Sequence, residues 1–325
     1  NSIAGAGTLG CASVALGTNV TPTSDRTTTL TTSIANMNIS GNLALYSNDN
    51  GNSQNNAIFS FSTGTITVAG SLTSVNEDAA QTVCTFNMAT GSQNGQLVLN
   101  GATPFSLGAG TNTITLAGTA THVHYNHAGN QSVYPVAYRH LTLSESGVKT
   151  LQTGTTTIGG NLTLSGSVAA TTVVALTVSG NLDIGSGTTL TVGGFNFTVT
   201  GTSTVDGTII HSSTAGTTTF TGQVTIGNGG LWNETAGEDI SFAGNLLNNG
   251  TFTAGAGIHT FTGTGRTIGG TSAVSIPSVT GSGTTTNTGR LIISTTLAGA
   301  STLTNGANAT LTFGGSAITP TIAAT

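Results

Sequence analysis

A glycine, one short polar residue and the start of an alternating segment return at nearly fixed intervals along this chain. The instances are Gly160-Asn161-Leu162, Gly180-Asn181-Leu182, Gly201-Thr202-Ser203, Gly222-Gln223-Val224 and Gly244-Asn245-Leu246, and Gly41-Asn42-Leu43 is a further one. From Gly160 to Gly244 the glycines recur roughly every 20–22 residues, a spacing that marks stacked structural repeats. Inside an interval the pattern alternates apolar and polar: Leu162-Thr163-Leu164, Leu176-Thr177-Val178, Leu182-Asp183-Ile184, Leu190-Thr191-Val192 and Phe195-Asn196-Phe197-Thr198-Val199. Period-2 alternation is that of a strand with one face turned inward. Gly-Ser-Gly, Gly-Gly and Asn-Gly between the strands suit tight corners. The expected fold is therefore all-β: a right-handed parallel β-helix with about 20–22 residues per coil. Tandem antiparallel β-sandwiches are the alternative, since they also place strands roughly every 8–12 residues. Residues 1–60 fit the period less well and are expected to form an N-terminal cap or assembly region, with the solenoid over 61–325. Within the first part, Ser47 to Asn56 reads as an exposed loop.

Composition narrows the partners. Charged residues are 5% of the 325, and the formal net charge is −5. Arg26, Arg139, Lys149, Arg266 and Arg290 cannot form a basic stripe, so no nucleic-acid partner is expected. Hydrophobic residues are 36%, enough to offset ordering entropy, and Thr, roughly a fifth of the chain, favours strands. No apolar run reaches the roughly 18 residues of a membrane-spanning helix, so membrane insertion is not expected. The start at Asn1 reads as a mature form after removal of a signal peptide.

A longer repeat overlies the short one. The run from His124-Tyr125-Asn126-His127-Ala128-Gly129-Asn130 to Val133 parallels Thr260-Phe261-Thr262-Gly263-Thr264-Gly265-Arg266-Thr267-Ile268, with a fainter copy from Asn76 to Val83. The first copy continues through Tyr138-Arg139-His140-Leu141-Thr142-Leu143 and Lys149-Thr150-Leu151. Over residues 120–270 the chain resembles the β-strand repeats of very large bacterial surface and secreted proteins, the autotransporter-associated kind and those common in Bacteroidetes. That resemblance implies right-handed β-helices used as stalks, adhesins and matrix components, with no shared catalytic residues.

Candidate sites are few. His122, His124 and His127, with His140 nearby, are the candidate metal ligands, because His122-x-His124 places two imidazoles on one side of a strand. Cys11 and Cys84 could form one disulfide in an oxidising compartment. Trp232, Tyr125, Tyr134 and Tyr138 are candidate glycan contacts. Asp183 and Asp206 could lie at similar positions on successive coils, and Glu234, Glu238 and Asp239 cluster near Trp232. Asp49-Asn50-Gly51-Asn52 offers oxygen ligands for calcium without the spacing of known calcium loops. Thr triplets such as Thr217–Thr219 and Thr284–Thr286 could form outward arrays. No catalytic residue, cofactor or enzyme activity is expected. The expected function is a structural subunit of an extracellular bacterial filament, sheath or surface stalk, self-assembling head to tail through end-to-end strand contacts. The alternative is an adhesin or carbohydrate-binding segment of a larger surface protein, with glycans as partners, and less so a β-helix polysaccharide-degrading enzyme.

Overall fold

The computed structural model describes residues 2–18, 23–49, 53–76, 83–88, 94–314, 317–318 and 321–324. Among them there is no helix, and the strands form long parallel ladders. The chain divides into two compact units, Asn1–Thr155 and Thr156–Thr325. Gln54–Phe61 pairs with Val83–Asn87 inside the first unit.

In the second unit the chain visits three ladders in fixed rotation. One contains Leu162–Leu164, Leu182–Ile184, Ser203–Val205, Val224–Ile226, Leu246–Asn248 and Arg266–Gly269, and continues to Thr321–Ala324. A second contains Ser167–Thr171, Thr189–Val192, Thr208–His211, Leu231–Glu234 and Thr251–Thr253. A third runs from Thr157–Ile158 through Leu176–Val178, Phe197–Val199, Thr217–Phe220, Asp239–Phe242 and Ile258–Phe261 to Thr310–Phe313. Every one of these pairings is parallel, so the antiparallel sandwich alternative is overturned. Parallel neighbours need a crossover between them, and here the other two strands of the same turn supply it.

The first unit uses the same rotation with wider spacing. Leu9 pairs with Met37, Met37 with Ile66, Ile66 with Leu97, Leu97 with Val123 and Val123 with Leu141. From Leu9 to Val123 each step is thus roughly 26–31 residues, and only the last, to Leu141, is shorter. In the second unit Leu162, Leu182, Ser203, Val224, Leu246 and Ile268 follow one another at roughly 20–22 residues. One short antiparallel contact, Asn48 with Asn55 and Asp49 with Gln54, interrupts the first unit. It draws Ser47, Asn48 and Asn55 into buried positions, which corrects the exposed-loop expectation for those three residues. Residues 50–52 of that segment lie outside the described set.

The repeated Gly-Asn-Leu now has a physical cause at each position. The glycines sit on one another: Gly180 N–H donates to Gly160 O at 2.9 Å and Gly201 N–H to Gly180 O at 3.0 Å. A Cβ on Gly201, Gly222 or Gly244 would overlap the carbonyl of the glycine one turn earlier. The asparagine then caps the next turn. Asn161 Oδ1 accepts from Asn181 N–H, Asn181 Oδ1 from Thr202 N–H and Asn245 Oδ1 from Thr267 N–H, each at 3.0 Å. The leucine turns inward and is fully buried at 162, 182 and 246. The same corner recurs in the first unit. There Gly41, Gly70 and Gly101 stack, and Asn42 Oδ1 accepts from Ser71 N–H at 2.9 Å.

Inward residues form columns along the ladders. Phe220, Phe242 and Phe261 are register partners, with successive rings 5.9 and 5.3 Å apart and nearly parallel. Phe59 and Phe86 do the same in the first unit at 5.6 Å. Burying each such ring contributes about 1.5–3 kcal/mol. Strand alternation also splits the threonine triplets. Thr218 and Thr285 turn inward while Thr217 and Thr284 stay exposed, so neither triplet is an outward array.

Candidate functional site

Trp232 stands in the inward column between Ile209 and Phe252 and has no solvent exposure. Its ring packs on Phe252 at 5.6 Å and beside His211 at 4.8 Å. A sealed indole cannot stack on a sugar, so Trp232 is corrected from a glycan contact to a core residue. Its Nε1–H donates to Glu234 Oε1 at 2.6 Å. Glu234 Oε1 also lies 2.9 Å from His259 Nε2, and its Oε2 accepts from Gly255 N–H at 2.6 Å. Burial alone would raise the Glu234 carboxyl. The hydrogen bond and charge of His259, with the Trp232 and Gly255 donors, outweigh burial and hold it below the ordinary value. Next to it, Glu238 Oε1 accepts from Thr218 Oγ1 at 2.6 Å, and Glu238 Oε2 is 3.7 Å from His211 Nδ1. Neither that oxygen nor either His211 ring nitrogen has a hydrogen-bond partner. Both acids and both histidines are buried, so this group acts on packing and charge inside the unit. Asp239 instead accepts from Ile258 N–H at the surface, 2.8 Å away. Asp183 pairs with Thr204, two residues short of Asp206, and burial with the Asp206 charge raises its carboxyl.

The histidines of the first unit are half-buried and engaged. His122 Nε2 lies 2.6 Å from Thr142 Oγ1 and His124 Nε2 2.5 Å from Ser144 Oγ, one strand over. The His122 ring is 6.5 Å from His124 and 6.0 Å from His140. His127 Nδ1 is 2.9 Å from Asn100 O. Among the described residues no three His, Cys, Asp or Glu side chains come together as a metal site. The candidate ligands His122, His124 and His127 are thus not brought together as a metal set. Burial, then neighbouring positive charge, lowers the pKa of His122 and His140. His124 is lowered by burial and by His122, against the pull of Glu145.

Cys11 and Cys84 are not joined in a disulfide. The Cys11 thiol faces Asn38 O at 3.8 Å, whereas Cys84 is buried against Ser47 Oγ at 3.4 Å and Leu45 O at 3.6 Å. The two sulfurs have different neighbours, and the possible disulfide between them is not present. The Asn50–Asn52 part of the calcium reading lies outside the described residues.

Two of the three candidate tyrosines are also internal. Tyr125 and Tyr138 are buried, with hydroxyl oxygens 2.9 Å apart, and are corrected from surface contacts to a supporting pair. They hold the backbone of the third: Tyr134 N–H donates to Tyr125 Oη at 2.8 Å and Tyr138 Oη donates to Tyr134 O at 2.6 Å. Tyr134 itself is half-buried and lines an open groove of about 420 Å³ with Phe105, Asn112, Ser132, Thr103 and Gln152. The Phe105 and Tyr134 ring centres are 4.6 Å apart with planes inclined by 32°. Gln152 Nε2–H donates to Val133 O at 3.0 Å, fixing the same loop. Asn112 spends its amide hydrogens on Gly108 O and Gly110 O at 2.8 and 2.9 Å, and its Oδ1 has no donor. Sequence reasoning named Tyr134 but missed Phe105 and Asn112, which no local pattern sets apart.

Lys149 was missed too. Its side chain is buried, and Nζ donates to His127 O, Gly129 O and Gln131 Oε1 at 2.6, 2.9 and 3.0 Å. Burial, opposed by Glu145, lowers it to about 8. No protein-family model, curated protein or solved structure matches the chain.

Proposed function

We propose that this chain is a non-enzymatic structural subunit of an extracellular bacterial filament, sheath or stalk. Its strands are the turns of a right-handed parallel β-helix, about 20–22 residues each where the glycine repeat is regular. Subunits join head to tail by adding strand to strand. The observation that carries this reading is the open ladder edge. In the first unit, Ser2–Cys11 pairs only with Arg26–Ile39, and Val14–Gly17 only with Leu43–Asp49, among the described residues. In the second unit, Thr310–Phe313 and Thr321–Ala324 likewise pair on one side each. Unpaired strand edges template further strands, and a heterologous contact of this kind propagates without closing. The low charge supports the same reading, because it weakens repulsion between copies packed together. The resemblance to bacterial surface repeats supports the extracellular setting.

Negative-stain electron microscopy tests the proposal. The chain is expected to form filaments as its concentration rises. Thr8→Lys with Gly10→Lys, two exposed positions on the open strand, is expected to leave discrete particles with an unchanged circular dichroism spectrum. Discrete monomers of the unaltered chain at every concentration and pH would defeat the reading.

A further inference from the structure

The groove beside Tyr134 has the chemistry of a ligand site, and we propose that it binds a neutral saccharide ring. This goes beyond the assembly role and can fail or stand independently of it. The first support is the pair of half-buried rings. Phe105 and Tyr134, 4.6 Å apart, present a continuous aromatic surface to an open concavity of about 420 Å³. That volume falls in the range of small-molecule sites, roughly 300–1,000 Å³. Aromatic surface of this kind takes the apolar C–H face of a sugar, whose hydroxyls point outward to polar neighbours.

The second support is an unmet acceptor. Asn112 lines the groove, and its amide orientation is fixed because both hydrogens are engaged by Gly108 O and Gly110 O. That leaves Oδ1 shielded from solvent without a donor. A hydroxyl donor that reaches this oxygen would satisfy it. Thr103 and Ser132 add short hydroxyls at the rim. Among the described residues, no Asp, Glu, Lys, Arg or His lines the groove. An ionic ligand would find no counter-charge among those residues, so the proposal is for a neutral saccharide.

The third support is preorganisation. Tyr125 and Tyr138 spend their buried hydroxyls on each other and on the Tyr134 backbone. Gln152 and Thr155 add bonds to Val133 O at 3.0 Å and Tyr134 O at 3.4 Å. The Tyr134 loop is thereby fixed before any ligand arrives, which lowers the ordering cost of binding.

The test uses the full chain and soluble probes: cellohexaose, xylohexaose, maltohexaose and chitohexaose, with hexagalacturonic acid as the charged comparison, followed by saturation-transfer NMR and calorimetry. At least one neutral hexamer is expected to bind, and the acidic one more weakly. Tyr134→Leu removes the flat ring but keeps the backbone bonds of residue 134, and is expected to weaken binding by about tenfold or more. Phe105→Leu is the second variant with the same expectation. Phe195→Ala, an exposed aromatic of the other unit, should leave affinity unchanged. Far-UV circular dichroism verifies that each variant is folded. Absence of binding by all four neutral hexamers up to roughly 10 mM, where association is weaker than about −3 kcal/mol, overturns the proposal. So does binding that folded Tyr134→Leu and Phe105→Leu leave intact.

Discussion

The two units solve the same stacking problem with different lengths of chain. In the second, partners along the glycine-bearing ladder are about 20–22 residues apart from Leu162 to Ile268. In the first they are about 26–31 residues apart between Leu9 and Val123. Yet the corner is the same, with glycine stacked on glycine and an asparagine oxygen capping the next turn. The inward columns are the same as well, Phe59 on Phe86 in one and Phe220, Phe242 and Phe261 in the other. Parallel stacking therefore constrains the strands and the corner, while the length between them is free to vary. Loop-closure entropy agrees, because lengthening a connection by half costs only a few tenths of a kcal/mol.

If the columns really are equivalent, their loss should cost the same. Phe242→Ala and Phe86→Ala are each expected to destabilise their own unit by about 3–5 kcal/mol. Trp232, the only tryptophan, reports urea unfolding of the second unit, and circular dichroism with hydrogen exchange reports the first. Costs differing by more than about 2 kcal/mol would break the equivalence. The corner gives a smaller effect. Gly201→Ala and Gly70→Ala each drive a methyl into the carbonyl of the glycine one turn earlier, and each is expected to cost about 1–3 kcal/mol. A neutral Gly70→Ala would show that wider turns relax around the intruding group.

Acid should separate the units most gently. In the first, His122, His124 and His140 have lowered pKa values, so the fold favours their neutral forms. That contribution is full above the ordinary value of 6.5 and is lost as pH falls below it. In the second, Glu234 is held below its ordinary 4.5. Its contribution is present above that value and is lost only as pH falls through the lower folded one. Hydrogen exchange is expected to rise first in peptides covering 122–143 and, at lower pH, in those covering 231–259. Glu234→Gln should remove most of the later step. The reverse order would mean that other groups control the acid response.

How much of this was legible follows from which residues repeat their work. The glycine period could be read because Gly180, Gly201, Gly222 and Gly244 all meet the same carbonyl wall. The alternation at Leu162, Leu182 and Leu190 could be read because each strand has one buried face. The wide turns could not, since stacking leaves connection length unconstrained. Trp232 was misplaced for want of register. Aligning Leu231-Trp232-Asn233-Glu234 with Thr208-Ile209-Ile210-His211 would have put Trp232 beside Ile209, and Glu234 with His211, facing inward. The groove drew on residues 103–152 of several turns, a juxtaposition that only the coordinates reveal.

The glycine corner also bears on how such a chain can change over generations. At Gly160-Asn161 and Gly180-Asn181 each turn offers its successor the same carbonyl and the same amide oxygen. Duplicating or deleting one whole turn in the gene would leave the flanking turns with neighbours they already know how to meet. Length could thus be edited in increments of a single turn, whereas a shift of one residue within a turn would carry every inward side chain to the outside.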